Sequence, residues 1–228
     1  MKTIADIKRI LAKGNLTTVA NKQLSSGIIS DEQGNDCQFK IIHGWDSTIA
    51  ALCDSSWGKF NMRILDYIYQ APISDKEKET LLETSQFEDH HWSWEKKHQC
   101  LYSEQYDWFF YTIDDIPQAA CVVYHPKQSI KSNKNIFYIE FLAVAPWNRP
   151  NHIESQKFKG IGSSLLKNVI EYAKNQLGLI DGFSLHALPK AEGYYNKIGM
   201  IRFTQYDKGP LGYFEMPEQE QLSFLEAQ

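Results

Sequence analysis

The sequence is poor in the features that staple small extracellular domains or carry chains through membranes. Only four of its 228 residues are cysteine (Cys37, Cys53, Cys100 and Cys121), with no Cys-x-x-Cys pair and no histidine at ligand spacing beside them. That argues against a disulfide framework or a zinc cluster and for buried thiols in a reducing, cytoplasmic setting, with no metal expected. No apolar run approaches the ~20 residues that a bilayer requires. Met1 to Lys13 mixes Lys2, Asp6, Lys8 and Arg9 with isolated aliphatics, so neither a membrane span nor a signal peptide is expected. A basic excess is also missing. The chain carries 24 Lys plus Arg against 28 Asp plus Glu, a net charge of −4, and lacks the field on which non-specific phosphate-backbone binding depends, so no nucleic-acid partner is expected. Repeats, low-complexity tracts and Gly/Ser linkers are absent, leaving no strong internal boundary. What remains, 43% hydrophobic and 13% aromatic residues, suits one large domain or one domain with an extension.

Periodicity supplies the elements. Ile4, Ile7, Ile10 and Leu11 predict a short helix stopped at Gly14. Gly27–Ser30 and Cys37–Ile42 flank a Gly- and Asx-rich turn and predict a hairpin. Asp46 to Gln70 reads as helix interrupted near Gly58 and closed before Pro72, and Ser74-x-x-Glu77 has capping-box spacing for another. His90, His91, Trp92, Trp94 and His98 crowd one short segment whose role periodicity does not reveal; ordinary packing is favoured over a metal, and a wall of a substrate site is the functional guess. Strands follow at Trp108–Thr112, Ala119–Tyr124 and Ile136–Val144, then at Gly182–Leu188, Ile201–Tyr206 and Leu211–Met216.

Chemistry concentrates where the strand Phe137–Val144 passes through a polar loop into Lys157-Phe158-Lys159-Gly160-Ile161-Gly162-Ser163. Leu165, Leu166, Val169, Ile170, Ala173 and Leu177 fall on one stripe, so a helix begins at these glycines. First-turn amides lack partners inside a helix and the macrodipole adds partial positive charge, so Gly160 and Gly162 could let a pyrophosphate approach, with Lys157 and Lys159 adding cations nearby. Two phosphate motifs fail: Leu165 occupies the third glycine of Gly-x-Gly-x-x-Gly, and no Gly-Lys-Ser/Thr follows. Gly-x-Gly alone is equally well read as close helix-to-sheet packing.

A larger pattern adds to this. Leu142, Val144 and Pro146, then Lys157, Gly160 and Gly162, then Ala191, Tyr195, Lys197, Gly199 and Met200 stand in an order and spacing that resembles the GCN5-related N-acetyltransferases (GNAT), closely over residues 136 to 216. The resemblance implies an α/β GNAT acyl-CoA N-acyltransferase fold: a central mixed sheet with splayed middle strands and helices on both faces. It would occupy residues 37–228, with residues 1–36 as an N-terminal helix and hairpin extension. It further implies acetyl-CoA as co-substrate, gripped by the backbone of Leu142, Ala143 and Val144 along its pantetheine arm. The Lys157, Phe158, Lys159, Gly160, Ile161, Gly162 and Ser163 amides would take the pyrophosphate, and Tyr195 would protonate the departing thiolate. A phenol of pKa ~10 can do so. The reading of Tyr195 as merely an amphipathic-helix aromatic stands beside it.

An attacking amine also needs a base. Glu140, a charge between Ile139 and Phe141 in a core strand, is either that base or an acid reaching solvent or an ion pair. By alternation it would share a face with Tyr138, Leu142 and Val144, unless a bulge resets the parity. His186 is the second candidate. The chain departs from the family pattern in three places: Lys157 stands for Arg or Gln, the link Trp147 to Gln156 is longer than usual and would border the substrate mouth, and Leu188 stands for an Asn. The expected activity is direct acetyl transfer from acetyl-CoA to an amine. The alternative is a non-catalytic acyl-CoA-binding or protein-interaction module on the same fold. A homodimer through an edge strand or the extension fits the composition.

Overall fold

A computed structural model of the chain describes residues 21–227. The helix expected over residues 4–11 lies outside them. Eight strands form one sheet in the order β1-β2-β3-β4-β5-β6-β8-β7. The first four connections are antiparallel: β1 (Lys22–Ser30), β2 (Asp36–His43), β3 (Tyr106–Ile113), β4 (Ile116–Gln128) and β5 (Asn135–Val144). β5 pairs in parallel with β6 (Phe183–Ala187), which pairs antiparallel with β8 (Gly212–Glu215), and β8 pairs with the two-residue β7 (Ile201–Arg202) at the far edge.

The predicted hairpin is present. Asp31 Oδ1 accepts from Gln33 N–H at 2.9 Å and Asn35 N–H at 2.8 Å, and Gly34 takes the positive φ of 83° that the turn requires. β1 pairs along its length with β2, and β2 with β3, so the hairpin is the edge of the same sheet and its two arms lie on either side of the boundary expected at residue 36. The β3–β4 turn falls at Asp114 and Asp115, both at positive φ, the conformation that lets a two-residue loop follow the twist of the strands.

Helices cover both faces. On one, α5 (Ile161–Leu177) buries Leu165, Leu166, Val169, Ile170 and Ala173 against Phe109, Cys121, Ile139 and Leu185. Each of these Leu, Val and Ile side chains contributes about 1.5–3 kcal/mol by leaving water. α6 (Glu192–Lys197) and α7 (Glu218–Glu226), the latter not foreseen from the sequence, join this layer through Tyr195 and Phe224. On the other face lie α1 (Ser47–Leu52), α2 (Gly58–Gln70), α3 (Asp75–Thr84) and α4 (Trp94–His98), packed through Ile49, Trp57 and Trp94 against Trp108, Phe110 and Val122, and through Phe60 on Trp147.

The interruption expected near Gly58 is a π-helical turn at Cys53–Trp57, which joins α1 to α2 without a break. Within it Asp54 accepts from Ser93 Oγ–H at 2.8 Å and Trp94 N–H at 2.7 Å, tying α4 to the turn. Ser74 and Glu77 make both halves of the capping box. The strand expected over Ile201–Tyr206 is cut to two residues. Asp207 accepts from Arg202 and from Tyr213 N–H, which draws Thr204–Tyr206 into a 3-10 turn. No helix among the described residues is long and apolar enough to cross a membrane.

Candidate active site

The middle of the sheet forks. β5 and β6 pair only at Phe137–Phe183, Tyr138–Ser184 and Ile139–Leu185, although β5 runs on to Val144 and β6 to Ala187. The fork begins where β5 bulges: Val123 faces Ile139 and Val122 faces Phe141, leaving Glu140 as the extra residue. The bulge resets the parity that simple alternation predicts. Leu142 and Val144 lie on the α5 face with Phe137 and Ile139, whereas Phe141 and Ala143 lie on the other face. Glu140 therefore does not share a face with Leu142 and Val144.

Ala145 N–H donates to Gln118 O on the β4 side at 2.8 Å. Strand peptide groups alternate in direction, so those of Leu142 and Val144 face the open side of the fork. Val144 O already accepts there from Arg149 Nε at 2.6 Å. Leu142, Ala143 and Val144 line a cavity of about 320 Å³, together with Gly160, Ile161, Gly162 and Ser163 from the next loop and Tyr195 from α6.

The loop is built for close approach. Gly160 caps α5 at φ 75°, and a Cβ on Gly162 would come within 3.1 Å of Val144 Cγ2. The close helix-to-sheet packing expected of the Gly-x-Gly pattern is present, and the same glycine brings the first-turn amides to the cavity. Of the seven amides expected to face a pyrophosphate, two are engaged. Lys157 N–H donates to Trp147 O at 3.1 Å and Phe158 N–H to Asn148 Oδ1 at 3.1 Å, while the Phe158 ring is buried in the core. Lys159 to Ser163 donate to no protein acceptor among the described residues. Lys157 and Lys159 are exposed beside the loop rather than in the cavity wall.

Several supports were not legible in the sequence. Buried Asn148 carries the loop through Phe158, and its own amide donates to Gln118 Oε1 at 2.9 Å. Glu32 N–H, in the β1–β2 turn, donates to Lys157 O at 3.0 Å, so the hairpin braces the loop from below. Tyr194 Oη and Ser163 Oγ share a hydrogen bond of 2.9 Å at the cavity wall. The long link places Arg149 and Pro150 in the cavity wall. Arg149 also pairs with Asp89 through Nη1 at 2.7 Å, and Lys190 N–H donates to Glu88 Oε2 at 3.2 Å, so the segment before α4 is strapped across the fork. Leu188 lines the cavity in place of the family's Asn.

Tyr195 is 7% exposed and its hydroxyl has no protein partner among the described residues. Burial, then the neighbouring Tyr194 and Cys121, push its pKa well above that of a free phenol, so it stays protonated. Glu140 is half-buried, outside the cavity wall, and without a hydrogen bond or ion pair among the described residues. Burial raises its carboxyl, while Lys208, Lys97 and Lys127 pull in the opposite direction. His186 is fully engaged, with Nδ1 2.6 Å from Tyr138 Oη and Nε2 2.9 Å from Tyr206 O, and burial lowers its pKa. The crowded histidine and tryptophan segment mostly packs: Trp94 is buried, Trp92 stands edge-on to Phe141, and His90 binds Phe87 O. No group of three or more His, Cys, Asp or Glu among the described residues could hold a metal ion.

A mixed sheet whose middle strands splay apart, with helices on both faces, is the arrangement that the sequence resemblance implies. The chain has the GNAT fold. No family model and no curated protein matches the sequence. Among solved structures it is similar to the GNAT domain of S. lividans PAT, with 12% identity over 84% of this chain and 96% of that one and a TM-score of 0.48. It is also similar to FdhC, described as a nucleotide-linked sugar GNAT, with 12% identity over 86% and 93% and a TM-score of 0.47. An uncharacterized protein from Bacillus halodurans shares 11% identity over 90% and 96%, with a TM-score of 0.49. At such identities the likeness concerns the path of the chain, and the assignment of the GNAT fold rests on the strand order, bulge and fork.

Proposed function

We propose that this GNAT-fold chain is an N-acetyltransferase that moves the acetyl group of acetyl-CoA directly to an amine. The observation that carries the reading is the convergence in one cavity of the cleft-facing Leu142 and Val144 backbone, the four unpartnered amides Gly160–Ser163 and the unpartnered hydroxyl of Tyr195. The donor set fits the co-substrate. A diphosphate needs a row of N–H groups at a helix start, and an amide-bearing arm needs strand-like backbone.

The chain's own groups account for the proton movements. Tyr195 donates to the departing thiolate. A phenol held well above pKa 10 is a weak acid, but the burial that raises it also raises a thiolate leaving beside it, as it does the adjacent Cys121 thiol. Glu140, desolvated and without a hydrogen-bond donor, takes a proton from the acceptor ammonium and so frees the neutral amine to attack. The fork aligns amine and thioester and so removes an entropic barrier.

Calorimetric titration with CoA, alongside thiol release with an amine panel, tests this. Tyr195→Phe is expected to lower turnover by about 100-fold and leave CoA affinity nearly intact. Unchanged turnover would remove Tyr195 from the mechanism. Tight CoA binding with no turnover on any amine would favour a binding module.

A further inference from the structure

The side of the fork away from α5 carries charge that the acetyl-transfer reading does not use. Lys208, Lys97 and Lys127 are the charged neighbours that act most on Glu140, and they come from three separate elements: the segment before β8, α4 and β4. Among the described residues none of the three lysines, nor Glu140, forms an ion pair, whereas Arg149 and Arg202 are both paired. Two of the lysines rest on rings. Lys97 Nζ lies 3.1 Å from the centroid of Phe141 and 4.6 Å from that of Trp92. Lys127 Nζ lies 5.9 Å from the Tyr138 centroid and 5.8 Å from that of Tyr213. Tyr138, His186 and Tyr213 adjoin one another as an aromatic floor, with His186 5.1 Å from Tyr213 and bonded to Tyr138. Asp207 nearby is taken by Arg202 and Tyr213 N–H and offers nothing to Lys208.

Lys97 also faces Asp54 and Asp89, which leaves Lys127 and Lys208 as two unpaired cations against the one carboxylate of Glu140. A simple cationic amine approaching Glu140 would meet more repulsion than attraction, and like-charge juxtaposition is an effective way to reject a partner. An amine with its own anion would answer both signs. We infer that the acceptor is a primary amine bearing a carboxylate or phosphate group, its nitrogen directed to Glu140 and its anionic group held by Lys127 and Lys208 over the Tyr138–Tyr213 floor. The inference rests on the acetyl-transfer reading. In the step, the ammonium gives one proton to Glu140, the neutral amine forms the C–N bond as the thioester C–S bond breaks, the thiolate receives the Tyr195 proton, the second nitrogen proton passes to the Tyr195 phenolate, and Glu140 releases its proton to solvent.

The test compares matched pairs, phenylalanine with phenylalaninamide and O-phosphoethanolamine with ethanolamine. Each is assayed for acetyl-CoA-dependent thiol release and for calorimetric binding to the CoA-saturated protein. The anionic member of at least one pair is expected to be preferred by about 10-fold or more in kcat/KM or affinity, a margin that shrinks with added salt. Which pair responds separates carboxylate from phosphate recognition. Lys127→Ala with Lys208→Ala should bring the preference to within about 2-fold, and Lys208→Glu, at an exposed position that folding tolerates, should reverse it. CoA affinity and Tyr195-dependent turnover report separately on acetyl transfer. Equal or better use of the neutral amines, a preference that survives the lysine variants, or no binding and no turnover with either anionic amine would overturn the inference, even with CoA binding intact.

Discussion

Asp107 on β3 and Glu140 on β5 are carboxylates sunk into the same sheet, and they differ in their company. Asp107 Oδ1 lies 2.6 Å from His43 Nε2 and 3.3 Å from Tyr172 Oη, and Oδ2 lies 2.8 Å from His125 Nε2. Burial pushes its carboxyl up, but the hydrogen bonds and charge of His43 and His125 outweigh burial and hold it below the usual range. Glu140 has no such donors, and burial leaves it above that range despite three lysines. One acid is a joint: its lone pairs bind β2, β3, β4 and α5 together. The other sits on a bulge where the ladder opens, with its lone pairs uncommitted. The acid that fastens the fold is ringed by donors, whereas the proposed base is desolvated and left without them.

The sharpest way to break this comparison is to neutralise each in turn. Glu140→Gln should lower amine-dependent turnover by about 100-fold or more and leave the CoA dissociation constant unchanged. In the wild type, turnover needs the carboxylate form and falls as pH drops through a folded pKa above the ordinary 4.5, so the variant should lose that acid limb. Because that pKa is raised on folding, ionised Glu140 does not stabilise the fold at neutral pH, and the variant's melting temperature should hold or rise. Asp107→Asn should do the reverse: a loss of about 1.5–3 kcal/mol in urea titration, with turnover at 25 °C retained. Asp107's folded pKa is depressed, so its contribution is complete above the unfolded value and disappears as pH falls through the folded one, below 3.8. If Glu140→Gln lowered stability and spared turnover, the two acids would be of one kind and Glu140 would not be the base.

A smaller effect is expected at the loop. Gly160→Ala places a Cβ at φ 75°, where left-handed backbone costs an L-residue about 1–2 kcal/mol, and should weaken CoA by roughly 10-fold with less change in kcat. Weakening that matched an exposed glycine elsewhere, such as Gly34→Ala in the β1–β2 turn, would assign the effect to general instability.

Much of this site was legible because it depends on local pattern. The Gly160–Gly162 spacing, the α5 stripe from Leu165 to Ala173 and the Ser74–Glu77 box are each fixed by residues within a turn or two of one another. The splayed strands, with Tyr195 brought to the same cavity, were legible only because the order of motifs resembled a family. Glu140's orientation was not legible, since alternation assumes an unbroken ladder and the bulge appears only once β4 is paired. The Asn148 platform, the Arg149–Asp89 strap and the Asp107 joint join residues 10, 60 and 64 positions apart. Nothing in single-sequence periodicity connects such residues. A polar residue at a position destined for the core, such as Asn148 or Asp107, was the available signal that a partner must exist.

The smallest expected effect separates two adjacent tyrosines. Tyr194 and Tyr195 both line the cavity from α6, yet Tyr194 Oη is bonded to Ser163 Oγ and Tyr195 Oη is not bonded at all among the described residues. Tyr194→Phe removes one neutral hydrogen bond, worth about 0.5–1.5 kcal/mol, from the last of the free-amide residues. The loss falls on Ser163 at the start of α5, so it should appear as a few-fold weaker CoA affinity with kcat unchanged, because no proton of the reaction passes through Tyr194. Tyr195→Phe should give the mirror image, kcat lowered and affinity kept. The same Tyr-to-Phe change one residue apart would then report on cofactor holding in one case and on proton delivery in the other. Matched kcat losses in both variants would mean that the two hydroxyls act as one hydrogen-bonded unit rather than as a support beside an acid.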